Sequence, residues 1–250
     1  MFARLQPVRT ALAQGKYSEL IAWLEFFVAW ALIEMTIWTS GKTQSRLFWI
    51  SALFIIASTI VHRPSLRDIG MGYLGLRSTW WVIPAAIALS SAAVFLAWEM
   101  GTLHPLFGAV RVATHSSGYF IWAIFQQFIL QSYFFLRLER LVSTRFAVFA
   151  SAGLFCLVHI PNPVLVAVCL FAGWVACEIF RRNRNIYAIG VAHAILGLTI
   201  AITVPDHLQR HMRVGIGYYH YHVAQTPAVK AISGLGLQVP AIPAPARAAR

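Results

Sequence analysis

Charge is what this chain has least of. Only 11% of its 250 residues are Asp, Glu, Lys or Arg, against roughly 25% in a soluble domain. That scarcity excludes an ordinary soluble enzyme. Acids are scarcest, 8 against 20 Lys and Arg, for a formal net charge of +12. The excess positive charge falls in short loops between apolar runs, as in membrane proteins. A nucleic-acid partner would require a contiguous basic face on a soluble domain, and none is visible. Cysteine is also rare. Cys156, Cys169 and Cys177 are an odd set inside apolar stretches, which argues against a disulfide framework and for small core-filling residues. The chain shows no internal repeat, no Gly-rich phosphate loop and no second domain. No cleavage-site pattern follows the basic segment Met1 to Lys16, so the first apolar run reads as a retained helix and not as a removed signal peptide.

What is present is apolar length: 59% of residues are hydrophobic and the mean hydropathy is +0.67. A helix crossing the hydrocarbon core needs about 20 largely apolar residues. Seven stretches are candidates, at 19–40, 47–62, 80–100, 118–137, 146–161, 163–180 and 185–205, with the second, fifth and sixth short. The pattern predicts an all-α, polytopic transmembrane helical bundle of about seven spans within residues 1–205. The Ile160-Pro161-Asn162-Pro163 run predicts a tight turn between the fifth and sixth. Residues 206–250 read as a tail, interfacial as far as His222 and disordered at its Pro/Ala-rich end.

Basic residues alternate with these spans. Arg4, Arg9 and Lys16, then Arg63, Arg67 and Arg77, then Arg137, Arg140 and Arg145, then Arg181, Arg182 and Arg184 fall on one side. Lys42, Arg46 and Arg111 fall on the other. The positive-inside rule then places the N-terminus in the cytoplasm, and the expected location is a bacterial inner membrane.

Polar side chains are expensive in lipid and face a bundle interior or an aqueous cavity. The fourth span carries Gln126, Gln127 and Gln131, of which Gln127 and Gln131 share a helical face. His159 ends the fifth span and His193 lies within the seventh. Taken singly, each has a plain structural explanation: amides as interhelical glue, histidines as satisfied core residues. Together they suggest a site. Of the intramembrane acids Glu34, Glu99 and Glu178, Glu34 lies deepest and is the functional candidate among them.

These residues resemble the CPBP family of intramembrane proteases, which includes CAAX prenyl endopeptidases and bacteriocin-processing enzymes. The family pattern is Glu-Glu-x-x-x-Arg on one span, Phe-x-x-x-His on the next and His-x-x-x-Asn on a later one. Phe155 to His159 matches the second motif. His193 opens the third, with Gly197 in place of Asn. Gln126 and Gln127 stand where the glutamates belong, and Gln131 where the arginine belongs. Arg137 and the Pro-Asn-Pro turn also look like family features. The resemblance covers residues 118–205.

The resemblance implies an endopeptidase that activates water at a histidine-containing site and cleaves a membrane-associated peptide or protein. His159, His193, Gln126 and Gln127 would be its catalytic set. Gln131 and Glu34 would be supporting polar residues, with Glu34 a possible source of the missing base. A carboxylate general base is worth about 10²–10⁴ in rate, so the departures leave a catalytically silent relative as the alternative. Such a relative would bind a lipidated or helical peptide as chaperone, sensor or assembly partner. A divalent metal would fall to His159 and His193, but a hydrolytic zinc site normally has three protein ligands, and none is assigned. A small-solute transporter has less support, since paired broken helices are missing.

Overall fold

A computed structural model describes residues 19–62, 64–104 and 109–221. The basic segment Met1 to Lys16, Arg63 and the Pro/Ala-rich tail end lie outside the described residues, as does the side chain of Arg111. Among the described residues all regular structure is helical: α1 (Glu19–Ile37), α2 (Gly41–Val61), α3 (Leu74–Thr79), α4 (Val82–Glu99), α5 (Ala109–Gln127), α6 (Leu136–Leu141), α7 (Thr144–Leu157), α8 (Pro163–Asn183), α9 (Tyr187–Thr203), α10 (Asp206–Gln209) and α11 (Gly215–Tyr219). A π-helical stretch, Phe128–Phe135, joins α5 to α6 without a break.

Five of these helical stretches are long and apolar enough to cross a membrane, at 19–37, 41–61, 75–99, 117–141 and 163–183, and α7 and α9 are shorter apolar helices. Each expected span therefore has its helix. Local chemistry sets several boundaries. Gly41, at φ +64°, supplies the left-handed residue that reverses the chain between α1 and α2. The Ser143 hydroxyl caps α7 by accepting from the Phe146 N–H. Asn162 caps α8 by accepting from the Leu165 N–H, with Pro163 in the first turn where its missing N–H costs nothing.

Neighbouring helices meet through small residues, which let backbones approach closely. A Cβ on Gly190 of α9 would lie 2.7 Å from Ile124 of α5, and one on Gly173 of α8 would lie 3.3 Å from Ala152 of α7.

Successive connections alternate between the two ends of the bundle. At one end, the Ile186 N–H donates to the Gly70 carbonyl, Arg184 pairs with Glu139 at 2.6 Å, and Gly75 packs on Asn183. At the other, the His104 N–H donates to the Ile202 carbonyl and the Gly215 N–H to the Ile160 carbonyl. The loops containing Arg67, Arg140 and Arg184 thus gather at one end, as the charge pattern predicts.

The tail as far as Tyr221 folds back onto the bundle. Buried Asn162 donates to the carbonyls of Gln209 and Arg213, and Gly215 packs on Ile37 at the end of α1. The Tyr221 phenol donates to Asp206 at 2.6 Å; burial first, and then the aspartate, push its pKa up to about 12.

Candidate active site

The second and third motifs meet around one aromatic ring. The centroid of Phe155, in the last turn of α7, lies 4.9 Å from that of His159 and 5.6 Å from that of His193, edge-on to both. His159 sits in the turn just after α7. Its Nδ1 lies 2.6 Å from the Phe155 carbonyl. A carbonyl only accepts, so Nδ1 carries the proton and the neutral ring keeps its Nε2 lone pair free.

The first motif delivers its residues to different places. Gln126 and Gln127 end α5, and Gln131 lies in the π-helical stretch, where the Leu136 N–H reaches back to the Gln131 carbonyl. Such stretches frequently mark functional sites. Gln127 is buried, with its Nε2 3.0 Å from His193 Nδ1, and fully buried Gln131 donates to Gln127 Oε1 at 3.3 Å. Gln127, Gln131 and His193 therefore form a hydrogen-bonded ladder between the fourth and seventh apolar helices. Gln126 stands outside it.

Gln126 instead faces a cleft of about 520 Å³ between α1 and α2 on one side and α5 and α7 on the other. The walls are mainly aromatic and aliphatic, with Trp30, Trp49, Trp122 and Phe134 among them. Phe155 and His159 also line it, and Val214 of the tail borders it. His193 does not line the cleft; Phe155 does, and touches both imidazoles. No carboxylate lines the cleft among the described residues. Glu34 is not brought to it. That residue lies in the last turn of α1 and accepts from Trp38 Nε1 at 3.0 Å.

Two groups escaped the sequence reading. Tyr119 places its ring edge-on to His193, with centroids 6.4 Å apart, and its hydroxyl fills the space a Cβ at position 197 would need. A side chain at position 197, where the motif has asparagine, would collide with this tyrosine from α5. The other is Glu25 in α1, which accepts from Arg137 at 3.2 Å and pairs with His62 at 2.9 Å. Arg137 also donates to Ser58 and lies 3.5 Å over the Tyr133 ring. The readable signal was an acid in one apolar span and an arginine at the end of another.

Among the described residues, no group of three or more His, Cys, Asp or Glu side chains is placed to hold a metal ion.

No curated protein and no solved structure matches the chain. Residues 112–199 match the family model described as type II CAAX prenyl endopeptidase Rce1-like, a stretch that contains Tyr119, all three glutamines, Phe155, both histidines and Gly197. Over residues 112–199 the chain is thus similar to the CPBP, CAAX-protease kind of protein that its motifs resemble.

Proposed function

We propose that this protein is an intramembrane endopeptidase that cleaves a membrane-associated peptide bound in the aromatic cleft. The observation that carries the reading is His159, an imidazole whose Nε2 is left as an acceptor beside an apolar cavity. An imidazole in that state accepts a proton from water, which the amide of Gln126 or Gln127 cannot do. His159 is then the general base, replacing the carboxylate that the first motif lacks. Gln126, on the cleft wall, orients the water or the scissile amide. The cleft favours an apolar segment, either a lipidated end or an unwound stretch of transmembrane helix, since burial of apolar surface supplies the binding energy. The protein resides in a bilayer with the basic end of the bundle in the cytoplasm, consistent with a bacterial inner membrane.

The test compares peptide termini in host membranes carrying wild-type protein or His159→Ala at matched abundance. New termini specific to the wild type, falling by about 10²–10⁴ in rate in the variant, are the expected result.

One observation favours a second reading. Among the described residues no carboxylate lines the cleft, so the same apolar walls would serve a silent relative that holds a peptide without cutting it. Identical termini in the two strains, with a membrane peptide co-purifying equally with wild type and His159→Ala, would establish that reading.

A further inference from the structure

We propose that Asn162 and Gly215 are positioning residues of this site. Through them the tail segment 206–221 holds the turn carrying His159 at a fixed distance from α1, across the end of the cleft opposite the basic loops. Their role rests on His159 being the base proposed above. The segment follows residues 112–199, which match the family model, and belongs to this chain's own architecture.

Asn162 comes three residues after His159 and is fully buried. A buried amide needs its hydrogen-bonding groups satisfied, and here all are used. The Asn162 backbone N–H donates to the His159 carbonyl at 2.9 Å, and the Asn162 carbonyl accepts from the Val166 N–H at 2.9 Å. Its Oδ1 caps α8, which leaves the two protons on Nδ2. These go to the Gln209 carbonyl at 2.6 Å and the Arg213 carbonyl at 3.1 Å. The two acceptors flank Arg210, His211 and Met212, all of which have left-handed backbone, at φ +45°, +55° and +56°. L-residues rarely adopt that conformation, and such strain persists only where the surroundings impose it. The left-handed run turns the chain so that carbonyls from both of its sides converge on one amide. The strained turn is a socket for Asn162.

Gly215 joins that socket to the opposite wall of the cleft. Its N–H donates to the carbonyl of Ile160, next to His159, at 2.8 Å. A Cβ on Gly215 would overlap the side chain and the carbonyl oxygen of Ile37. One glycine, at φ +53°, thus spans the gap between the end of α1 and the turn after α7. Trp38 and Tyr219, with ring centroids 6.5 Å apart, extend the contact, and Val214 borders the cleft itself. Nearer its start, α1 is held by Glu25 and Arg137. The α1 wall is therefore pinned twice, and its second pin is the segment that grips the His159 turn. The bond from Nδ1–H to Phe155 sets the rotation of the imidazole, while the socket sets the position of the backbone that carries it. A general base acts only within hydrogen-bond reach of its proton, and a misplacement of about 1 Å can cost about 10² in rate.

The experiment is nitrogen NMR on the full-length chain in detergent with ¹⁵N-labelled histidine, His159 being identified by difference from His159→Ala. The reading is the exchange of its Nδ1 proton with water. Asn162→Ser keeps a cap for α8 but removes the amide that grips the tail carbonyls. Gly215→Ala leaves the Asn162 side chain intact and pushes the tail off Ile37. Each should speed exchange of the His159 proton at least about tenfold, with the His193 ring signals unchanged. Unchanged His159 exchange in both variants overturns the proposal, and so does equal loosening of the two histidines, which would mean general softening. Should Asn162→Ser fail to fold, Gly215→Ala decides alone. Where membranes show cleavage, Asn162→Ser should lower kcat with KM unchanged, and a raised KM at full kcat would also overturn the role. A chain that cleaves nothing yet shows faster His159 exchange in both variants refutes the peptidase reading and leaves the positioning of His159 standing.

Discussion

Two polar regions of this bundle use the same stretch of chain in opposite ways. Gln127 and Gln131 build an uncharged ladder to His193, while Tyr133 and Arg137, just along the same continuous helix, build an ionic cluster with Glu25, His62 and Ser58. The ladder keeps every group neutral, because a neutral amide buried among helices needs only hydrogen-bond partners. An arginine needs a counter-charge as well. The cluster supplies one and adds a ring and a hydroxyl, at the end of the bundle where the basic loops gather. The difference teaches where charge is tolerated here. It clamps the α1–α2 hairpin to the core, and it is absent from the described walls of the cleft.

The largest expected effect breaks the ionic side of that contrast. Glu25→Leu leaves Arg137 buried without its carboxylate and should cost about 3–5 kcal/mol in thermal or denaturant unfolding in detergent. Adding Arg137→Met should recover most of the loss. If the double variant is no more stable than the single, the ion pair is not what holds the hairpin.

A smaller effect is expected beside the ladder. Gly197→Asn introduces a side chain where the Tyr119 hydroxyl already sits, and overpacking of this kind costs about 1–3 kcal/mol. Tyr119→Ala in the same chain should relieve it. Equal melting temperatures for Gly197→Asn and wild type would show that the space is not contested.

The smallest effect belongs to neither region. Tyr221, beside Asp206 on the folded-back tail, has its pKa pushed up to about 12. Its folded-state value is raised above the ordinary value for tyrosine, so its contribution is fully present below about pH 10 and is lost as pH rises towards 12. Titrating Tyr221 by phenolate absorbance against Tyr221→Phe checks this, and a midpoint near 10 would contradict it.

The helices were readable because lipid imposes a simple rule: each apolar run of sufficient length found its helix, including the short ones at α7 and α9. The contact within the second motif was readable as well, since Phe155 and His159 are four residues apart and contact follows from sequence spacing. Glu25 was not found. It belongs to an ordinary apolar run, and only its packing against Arg137, far away in sequence, marks it out. Glu34 drew attention as the deepest acid of its span, but α1 ends at Ile37, which leaves Glu34 in the last turn, where it accepts from Trp38 and does not line the cleft. The π-helical stretch was equally hidden, since nothing in Phe128 to Phe135 departs from an apolar α-helical pattern.

By itself the sequence determined that this chain forms a bundle of about seven apolar helices, that its arginine-rich loops share one end, and that the fourth span carries the uncharged amides Gln126, Gln127 and Gln131. Those properties depend on composition and spacing, which act through local hydrophobicity and charge. Tertiary structure alone decided that Gln127 reaches His193 while Gln126 faces the cleft, that Tyr119 occupies the space above Gly197, and that Arg137 finds Glu25. Such pairings depend on how helices rotate and approach one another, and that is set by side chains from distant parts of the chain packing together.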